Sequence, residues 1–419
     1  MSDFAIQLSN AIRDISLDPV AKLIGILCGA VGVGVGVILF TLILKTLVLP
    51  FDIYQRVSMR KQSLKMEQMR PELEKLQKQY ANDKAMYSQK MMEVYKKNNY
   101  SMFSACLPMI LMMVILIVAF NELNAFSQYA NLHTYSEMAE VYNAAILEYC
   151  EDDPSKIQTS EFTDRNGVKY TRYEGISDDK FVYYTMNASG EKDYYIDAEK
   201  ACAYYESKGK TFSTQEELQN YVYSLGSEKA AEHFRSTKED RSFLWIKNLW
   251  YSDTYWTPSL GSYKEFTGKI TQKITLEDGS KVSVKDVVSE ETYNAITANL
   301  TEEKVDHNGY FILVALSIGL MFLSQFIAMK SQKAQNDLGS VDGQAASTQK
   351  MMLIIMPVMF GIFAFSYSGA FSIYMVVSSA YSILTMLVSQ VFVDKAFRKK
   401  EQKNLEKKYE RKTFAKKDK

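Results

Sequence analysis

The chain has 419 residues, with 49 basic and 49 acidic side chains and a hydrophobic fraction of 47%. Its three histidines lie far apart, no Cys-x-x-Cys occurs, and no Gly-rich phosphate loop precedes a helix. These features exclude the common metal, redox and nucleotide sites, so we predict no catalytic residue, no metal and no cofactor. The balanced total charge conceals a chain in which apolar and charged residues are segregated.

The first 20 residues place apolar and charged side chains on opposite faces of a helix, from Asp3 and Phe4 to Leu17 and Asp18. This pattern predicts an amphipathic helix over 1–20 that lies on the outer membrane surface. A cleavable signal is not expected, because neither a basic segment nor a small-residue cleavage site precedes the apolar residues that follow.

Four charge-free stretches then indicate membrane spans. Leu23–Leu44 holds 22 such residues, enough to cross the roughly 30 Å hydrocarbon core as a helix. Met351–Val393 holds 43, which suits two helices with a turn near Tyr367-Ser368-Gly369. The predicted fold is an all-α polytopic membrane protein with five transmembrane helices, at 21–51, 101–121, 308–330, 350–367 and 371–393.

The charges between these spans predict their orientation, because Lys and Arg are enriched in cytoplasmic loops. Residues 52–100 hold 11 basic against 6 acidic side chains, and 395–419 hold 12 against 4, whereas 127–307 hold 20 against 32. We therefore place the N-terminus and the 127–306 segment outside. The 52–100 segment, the 331–349 loop and the 394–419 tail are placed in the cytoplasm, in a multi-pass protein of the cell membrane.

Lys45 interrupts the apolar run from Leu23 to Phe51. A charge near the bilayer centre costs about 2.5–3.5 kcal/mol on insertion scales, so such a residue usually faces a protein interior or a wet cavity. The alternative is that Lys45, close to Asp52, snorkels to the cytoplasmic headgroups.

Residues 52–100 are predicted to form a cytoplasmic helical hairpin, with Pro71 in the first turn of a helix and a break at Asn82-Asp83. The hairpin is rich in methionine, whose flexible thioether suits surfaces that accept varied apolar partners. The alternative is that the methionines pack the two helices of the hairpin against each other. The candidates for partner contact are Met86, Met91 and Met92.

The 127–306 segment is predicted to be an inserted extracytoplasmic α+β domain. Its sequence predicts β-hairpins within 156–200 and 264–286, and helices over 214–235 and 289–304. Two of its cysteines, Cys150 and Cys202, form either a disulfide or two buried thiols. Its tryptophans are expected at the outer membrane interface: Trp245, Trp250 and Trp256.

Short motifs in a fixed order along the chain give a further indication. They are Leu42–Pro50 with its Lys45, Met66–Pro71, Met91–Tyr95, Ala105–Pro108, Phe243–Ile246 and Met356–Phe360. In this order they resemble the core motifs of the YidC/Oxa family of membrane protein insertases. Lys45 stands where the family has arginine, which keeps the charge but loses the planar five-donor fork. Insertions at 127–241 and 254–306 also depart from the family pattern.

The resemblance implies a hydrophilic groove, open to cytoplasm and lipid, that holds Lys45 and inserts membrane proteins without nucleotide hydrolysis. It implies nascent membrane proteins as clients, contact with membrane lipids, and the Sec translocon as a further candidate partner, in a Gram-positive bacterium. The basic tail would bind the ribosome or simply act as a cytoplasmic anchor. Further groove candidates are polar side chains of the later spans, for which an ordinary interhelical hydrogen bond is the alternative: Ser324, Gln325, Tyr374, Ser378 and Ser379.

Two other functions remain open from the sequence. A membrane-anchored sensor or scaffold would bind a ligand or partner through the exterior domain and would not need the methionine-rich hairpin. A small transporter would use Lys45 as a substrate or proton site, although internal repeats or several intramembrane charges would then be expected.

Overall fold

A computed structural model describes residues 17–100, 103–150, 158–163, 169–174, 180–186, 192–271, 273–275, 281–331 and 367–389, with a few single residues beyond 357. The chain is mostly helical, with few strands. It divides into two compact units: a first unit, Met1–Val33 with Leu123–Tyr310, and a second unit, Gly34–Glu122 with Phe311–Lys419. Several predicted segments lie wholly or largely outside the described residues: the 1–20 helix, the 331–349 loop, the 350–367 span and the 394–419 tail.

The predicted first span is divided at Gly32. Helix α1 (Pro19–Val31) ends where Gly32 adopts a φ of 86°, a left-handed conformation that side-chain-bearing residues rarely adopt. Helix α2 (Val33–Gln79) then continues for 47 residues, about 70 Å, through both Pro50 and Pro71. The prediction that Pro71 opens a helix is therefore wrong, because the helix of the predicted span runs on past it.

The hairpin predicted after the first span is formed by the end of α2 and by α3 (Lys84–Lys97). Asp83 caps α3 by accepting a hydrogen bond from the Met86 backbone N–H at 3.0 Å, so the predicted break at Asn82-Asp83 is confirmed. Three side chains of α2 pack against Val94 of α3 in a small core: Met66, Met69 and Leu73. This packing holds the two helices together beyond Pro71.

Helix α4 (Phe103–Leu147) has 45 residues and joins the predicted second span to the predicted insertion without a break. The helix runs through the boundary predicted between 121 and 127, because no glycine or proline occurs between Pro108 and Leu147 to end it. The two compact units nevertheless divide there, between Glu122 and Leu123. The core of the first unit forms around the second half of α4. There Tyr135 stacks on Tyr293 with ring centroids 5.5 Å apart, and both rings lie 5.1 Å from Phe266.

Three antiparallel strand pairs follow α4 in the described part of the first unit. They are β1 (Gln158–Thr163) with β2 (Lys169–Glu174), β3 (Val182–Met186) with β4 (Lys192–Ile196), and β5 (Lys273–Thr275) with β6 (Lys281–Ser283). The hairpins predicted from the sequence are therefore present, although the residues of their turns lie outside the described ranges.

Short helices complete the first unit: α5 (Ala198–Glu206), α6 (Gln215–Ser236), α7 (Tyr263–Lys269), α8 (Val284–Val287), α9 (Glu290–Ile296) and α10 (Thr301–Val305). The prediction of a helix over 214–235 is confirmed by α6. The hairpin predicted over 264–286 is shorter than expected, because the capping box of Ser262 and Glu265 begins α7. The helix predicted over 289–304 is divided in two between Ile296 and Thr301.

A buried polar cluster fixes the loop after α6 to residues 308–310. The side chain of Asn308 accepts a hydrogen bond from the Asn248 N–H at 2.7 Å and donates to the carbonyls of Asn248 and Ser252 at 2.8 and 3.0 Å. Asp253 accepts from the Tyr310 N–H at 2.9 Å, and a Cβ at Gly309 would lie 2.0 Å from its Oδ1. We call Asn248, Asp253 and Asn308 the Asn308 latch; all three are buried.

The tryptophans of this loop have three different environments. Trp250 is buried against Phe126, with ring centroids 5.1 Å apart, so the expectation that it lies at the membrane interface is wrong. Trp245 is half-buried and its Nε1–H donates to Asp253 Oδ1 at 3.3 Å. Trp256 is 68% exposed, so its expected place at the interface stays a prediction.

Two described helices are long and apolar enough to cross a membrane, namely α2 and a helix over Gly369–Ser389, which we label α12. Helix α11 (Ile312–Ser331) and α1 are apolar too, although their apolar lengths are shorter. Helices α2, α11 and α12 belong to the second unit, and Lys45, the charge within the apolar run, lies on α2.

Candidate functional site

Four polar side chains lie on one face of α2 within or next to its apolar half. Thr41, Lys45, Asp52 and Arg56 are separated by 4, 7 and 4 residues, which are close to whole numbers of helical turns. We call these four residues the polar stripe. A continuous helix through Pro50 is what places them on one face.

The polar stripe is turned into the protein and the apolar residues beside it are turned outward. Lys45 is 8% exposed and Asp52 is 2% exposed, whereas Leu47, on the opposite face of α2, is 76% exposed. This distribution is the reverse of that in a water-soluble helix. It is the arrangement expected when apolar side chains contact lipid and a charge is directed to the bundle interior.

The charges of the polar stripe are close enough to affect one another. Lys45 and Arg56 each interact electrostatically with Asp52. Both carboxylate oxygens of Asp52 are buried, and neither accepts a hydrogen bond from the part of the chain that the structure describes. A carboxylate in this position needs compensation from neighbouring positive charge or from solvent.

Helix α12 packs beside the polar stripe. The Thr46 hydroxyl lies 3.4 Å from the Tyr381 hydroxyl, and Arg56 Nη2 donates to the Ser382 carbonyl at 3.5 Å. These contacts place α12 next to the three turns of α2 that follow Lys45. A polar surface between two apolar helices can hold water or a polar segment of a peptide.

The candidate groove residues of α12 lie one to two turns before those contacts. Tyr374 is buried, and its hydroxyl is hydrogen-bonded to the half-buried Ser378. Ser379 is also buried. The structure thus brings α12, with three of the predicted residues, to the helix that carries Lys45. The other two candidates, Ser324 and Gln325, are half-buried on α11.

The predicted methionines of the hairpin divide into two sets. Met91 packs against the core of Met66, Met69, Leu73 and Val94. This agrees with the alternative in which the methionines pack the hairpin against itself. Met86 and Met92 are 40% and 45% exposed. The exposed pair remains available for contact with a partner.

Cys150 and Cys202 are thiols in the structure, with Cys150 buried and Cys202 half-buried. Cys150 belongs to the apolar core of the first unit, and Cys202 packs against it. Partial burial, and secondly the negative charge of the nearby Glu206, raise the pKa of the Cys202 thiol. A disulfide between them stays a prediction.

Sequence reasoning missed Asp52 and Arg56. Both fall at the start of the 52–100 segment, which the charge pattern assigns to the cytoplasm. The signal that could have identified them is their distance from Lys45: Asp52 lies 7 and Arg56 11 residues after it, both close to whole numbers of helical turns.

Comparison with known proteins adds a family relationship. The model of the family described as 60Kd inner membrane protein matches residues 26–151 and 229–396. These two ranges contain α2, α12 and every residue of the polar stripe. The stretch between them, 152–228, contains β1 to β4, α5 and the first half of α6.

Individual relatives match shorter parts of the chain. The membrane protein insertase YidC of Fusobacterium nucleatum is 35% identical over 92 residues, 22% of this chain and 43% of that protein. The protein of the same name from Clostridium perfringens is 39% identical over 93 residues, 21% of this chain and 37% of that protein. That of Caldanaerobacter subterraneus is 31% identical over 119 residues, 27% of this chain and 56% of that protein. The chain thus spans about half the length of the curated relatives that it matches.

Proposed function

Because the chain belongs to the 60Kd inner membrane protein family, the YidC/Oxa family of its sequence motifs, we propose that it inserts integral membrane proteins into the cell membrane and helps them to fold. The observation that carries the proposal is the polar stripe of α2, with Lys45 buried and Leu47 exposed on the opposite face. A helix that only anchored the protein would have no use for a charge at this depth.

The polar stripe would work as one wall of a hydrated groove, with α12 as a second wall. A client's polar terminal segment cannot cross the hydrocarbon core unaided, since each unpaired polar group costs several kcal/mol there. A groove that carries water and charge partway into the bilayer shortens that path. Ser324, Gln325, Tyr374, Ser378 and Ser379 would supply further polar contacts.

Lys45 would hold acidic residues of the client for a short time. At an effective dielectric constant near 20, a pair of opposite charges about 4 Å apart gains roughly 4 kcal/mol before desolvation is counted. That energy retains a segment transiently and releases it once the client's apolar span enters the lipid. Burial of that span and the membrane potential drive the step, so no nucleotide hydrolysis is required.

The hairpin of α2 and α3 would receive the client before it reaches the groove. Met86 and Met92 are exposed side chains without branching, and they adapt to apolar segments of different shape. Met91 supports this surface from the hairpin core. The basic 394–419 tail would attract ribosomal RNA through its charge, and the Sec translocon remains a candidate partner.

The topology that fits this function has five spans, with the N-terminus outside and the hairpin and the tail in the cytoplasm. The 127–306 segment would then lie outside as an α+β domain between the second and third spans, in a Gram-positive cell. The acidic surplus of 127–307, 32 acidic against 20 basic residues, supports this orientation.

A sensor or scaffold is the second candidate function, and one observation favours it. The 152–228 stretch between the two ranges of the family match contributes Ala201, Tyr205 and Val222 to the core of the first unit. A packed structure of this kind can bind a partner independently of insertion, so the two functions are separable by experiment.

Reconstitution tests the proposal. The full chain is purified into liposomes, and a purified single-span client is diluted from denaturant onto them in buffer without nucleotide. We expect protease protection of the client's translocated segment with the native chain and with Lys45→Arg, and its loss with Lys45→Leu. Leu47→Ala is the matched control, because it alters the exposed face of the same helix. Equal insertion into empty liposomes would refute the proposal.

A further inference from the structure

Asp52 is the buried charge of the second unit that the proposed mechanism does not use. It lies seven residues after Lys45 and four before Arg56 on one face of α2, and it is 2% exposed. Neither of its carboxylate oxygens accepts a hydrogen bond from a described residue. A buried carboxylate that is only structural is normally satisfied by backbone or side-chain donors.

The charges around Asp52 explain how it is tolerated. Lys45 stands about two helical turns, roughly 10 Å, before it along the axis, and Arg56 about one turn after it. Both interact with Asp52 electrostatically. Arg56 also directs one nitrogen to the Ser382 carbonyl of α12. Within the described residues, Asp52 is therefore compensated by neighbouring positive charge and not by hydrogen bonds.

On the premise of the proposed function, we propose that Asp52 sets the charge preference of the groove. The polar stripe carries two positive charges and one negative charge, and Asp52 offsets one unit of the attraction that Lys45 and Arg56 exert on an acidic client segment. Its oxygens also accept hydrogen bonds from amide or basic groups of the client. The groove thereby takes weakly acidic and neutral polar segments and is prevented from retaining strongly acidic ones.

The proposal gives opposite signs for two substitutions. Asp52→Asn removes the negative charge at nearly constant shape, so the groove should favour acidic segments more. Arg56→Gln removes a positive charge from the same face, so the preference should shift the other way. Asp52→Glu keeps the charge and should retain the native preference. A purely structural role for Asp52 would lower insertion of every client equally and leave the preference unchanged.

The experiment uses the full chain in liposomes and two single-span clients that differ only in the charge of the translocated segment, neutral or with three aspartates. The readout is the ratio of acidic to neutral client inserted, measured within each variant so that loss of folded protein cancels. Asp52→Asn should raise this ratio about four- to sixteenfold, as expected for removal of one charge at roughly 10 Å with an effective dielectric constant of 20 to 40. Glu67→Gln, which removes an exposed carboxylate from the same helix, is the matched control and should leave the ratio unchanged.

An unchanged ratio in Asp52→Asn together with normal insertion by the native chain would overturn the role of Asp52 and leave the proposed function standing. A shift of Arg56→Gln in the same direction as Asp52→Asn would overturn it as well. Failure of the native chain to insert either client would instead refute the proposed function, and the role of Asp52 with it.

Discussion

Asn308→Ala should open the latch that joins the loop after α6 to residues 308–310. The substitution removes three hydrogen bonds from a fully buried side chain. It leaves the Asn248 N–H without its acceptor, which costs about 1–3 kcal/mol, and deprives two carbonyls of a donor at about 0.5–1.5 kcal/mol each. We expect the opening free energy of this region to fall by about 4 kcal/mol, the sum of terms of about 2, 1 and 1 kcal/mol from the middle of those ranges.

Hydrogen exchange on the full chain in detergent measures that change. Backbone amides of 243–260 and 300–310 should exchange about 700-fold faster, since each 1.4 kcal/mol of that change corresponds to a factor of ten. The control is Asn220→Ala, an exposed amide on α6, which should leave these rates nearly unchanged. Exchange accelerated less than threefold in Asn308→Ala would refute the argument that the latch holds this loop.

Two further predictions concern other parts of the chain. Burial would raise the pKa of Glu137, but a hydrogen bond and charge from His133, together with the charge of His233, hold it below its ordinary value. The stability that this provides is present above pH 4.5 and is lost as the pH falls through the lowered pKa. Glu137→Gln should therefore flatten the fall in melting temperature between about pH 5 and 3, and an unaltered profile would contradict this. Met69→Ala leaves a cavity in the hairpin core and should lower the stability of the hairpin by about 2–5 kcal/mol, which is measured as faster proteolysis. Met92→Ala, on the exposed face, should have little effect. Equal cleavage of the two variants would contradict the packing argument.

Lys45 and the hairpins of the first unit show what the sequence can predict. A charge within an apolar run and a turn signal between alternating residues are both local features of the chain, so they can be read directly. Asp52 could not be identified in the same way. Its position on the face of Lys45 depends on a helix that continues through Pro50, which sequence rules treat as a helix breaker.

Trp250 and α4 illustrate the other limit. A tryptophan near a predicted span favours the membrane interface by composition, whereas its burial against Phe126 depends on tertiary packing that a single sequence does not reveal. The length of α4 likewise depends on the absence of a stop signal. The change from apolar to mixed composition coincides with the division between the two units, but the helix continues through it.

The central claim is that the Lys45 face of α2 contacts the polar segment of a client during insertion. Site-specific photocrosslinking to a ribosome-stalled single-span nascent chain tests this most directly. The crosslinker is placed at position 45, with position 47 on the opposite face as the control. We predict a crosslink from position 45 to the client's polar segment that appears only while the client's span is emerging, and none to that segment from position 47. No crosslink from position 45, with a fully active Lys45→Leu protein, would contradict the account.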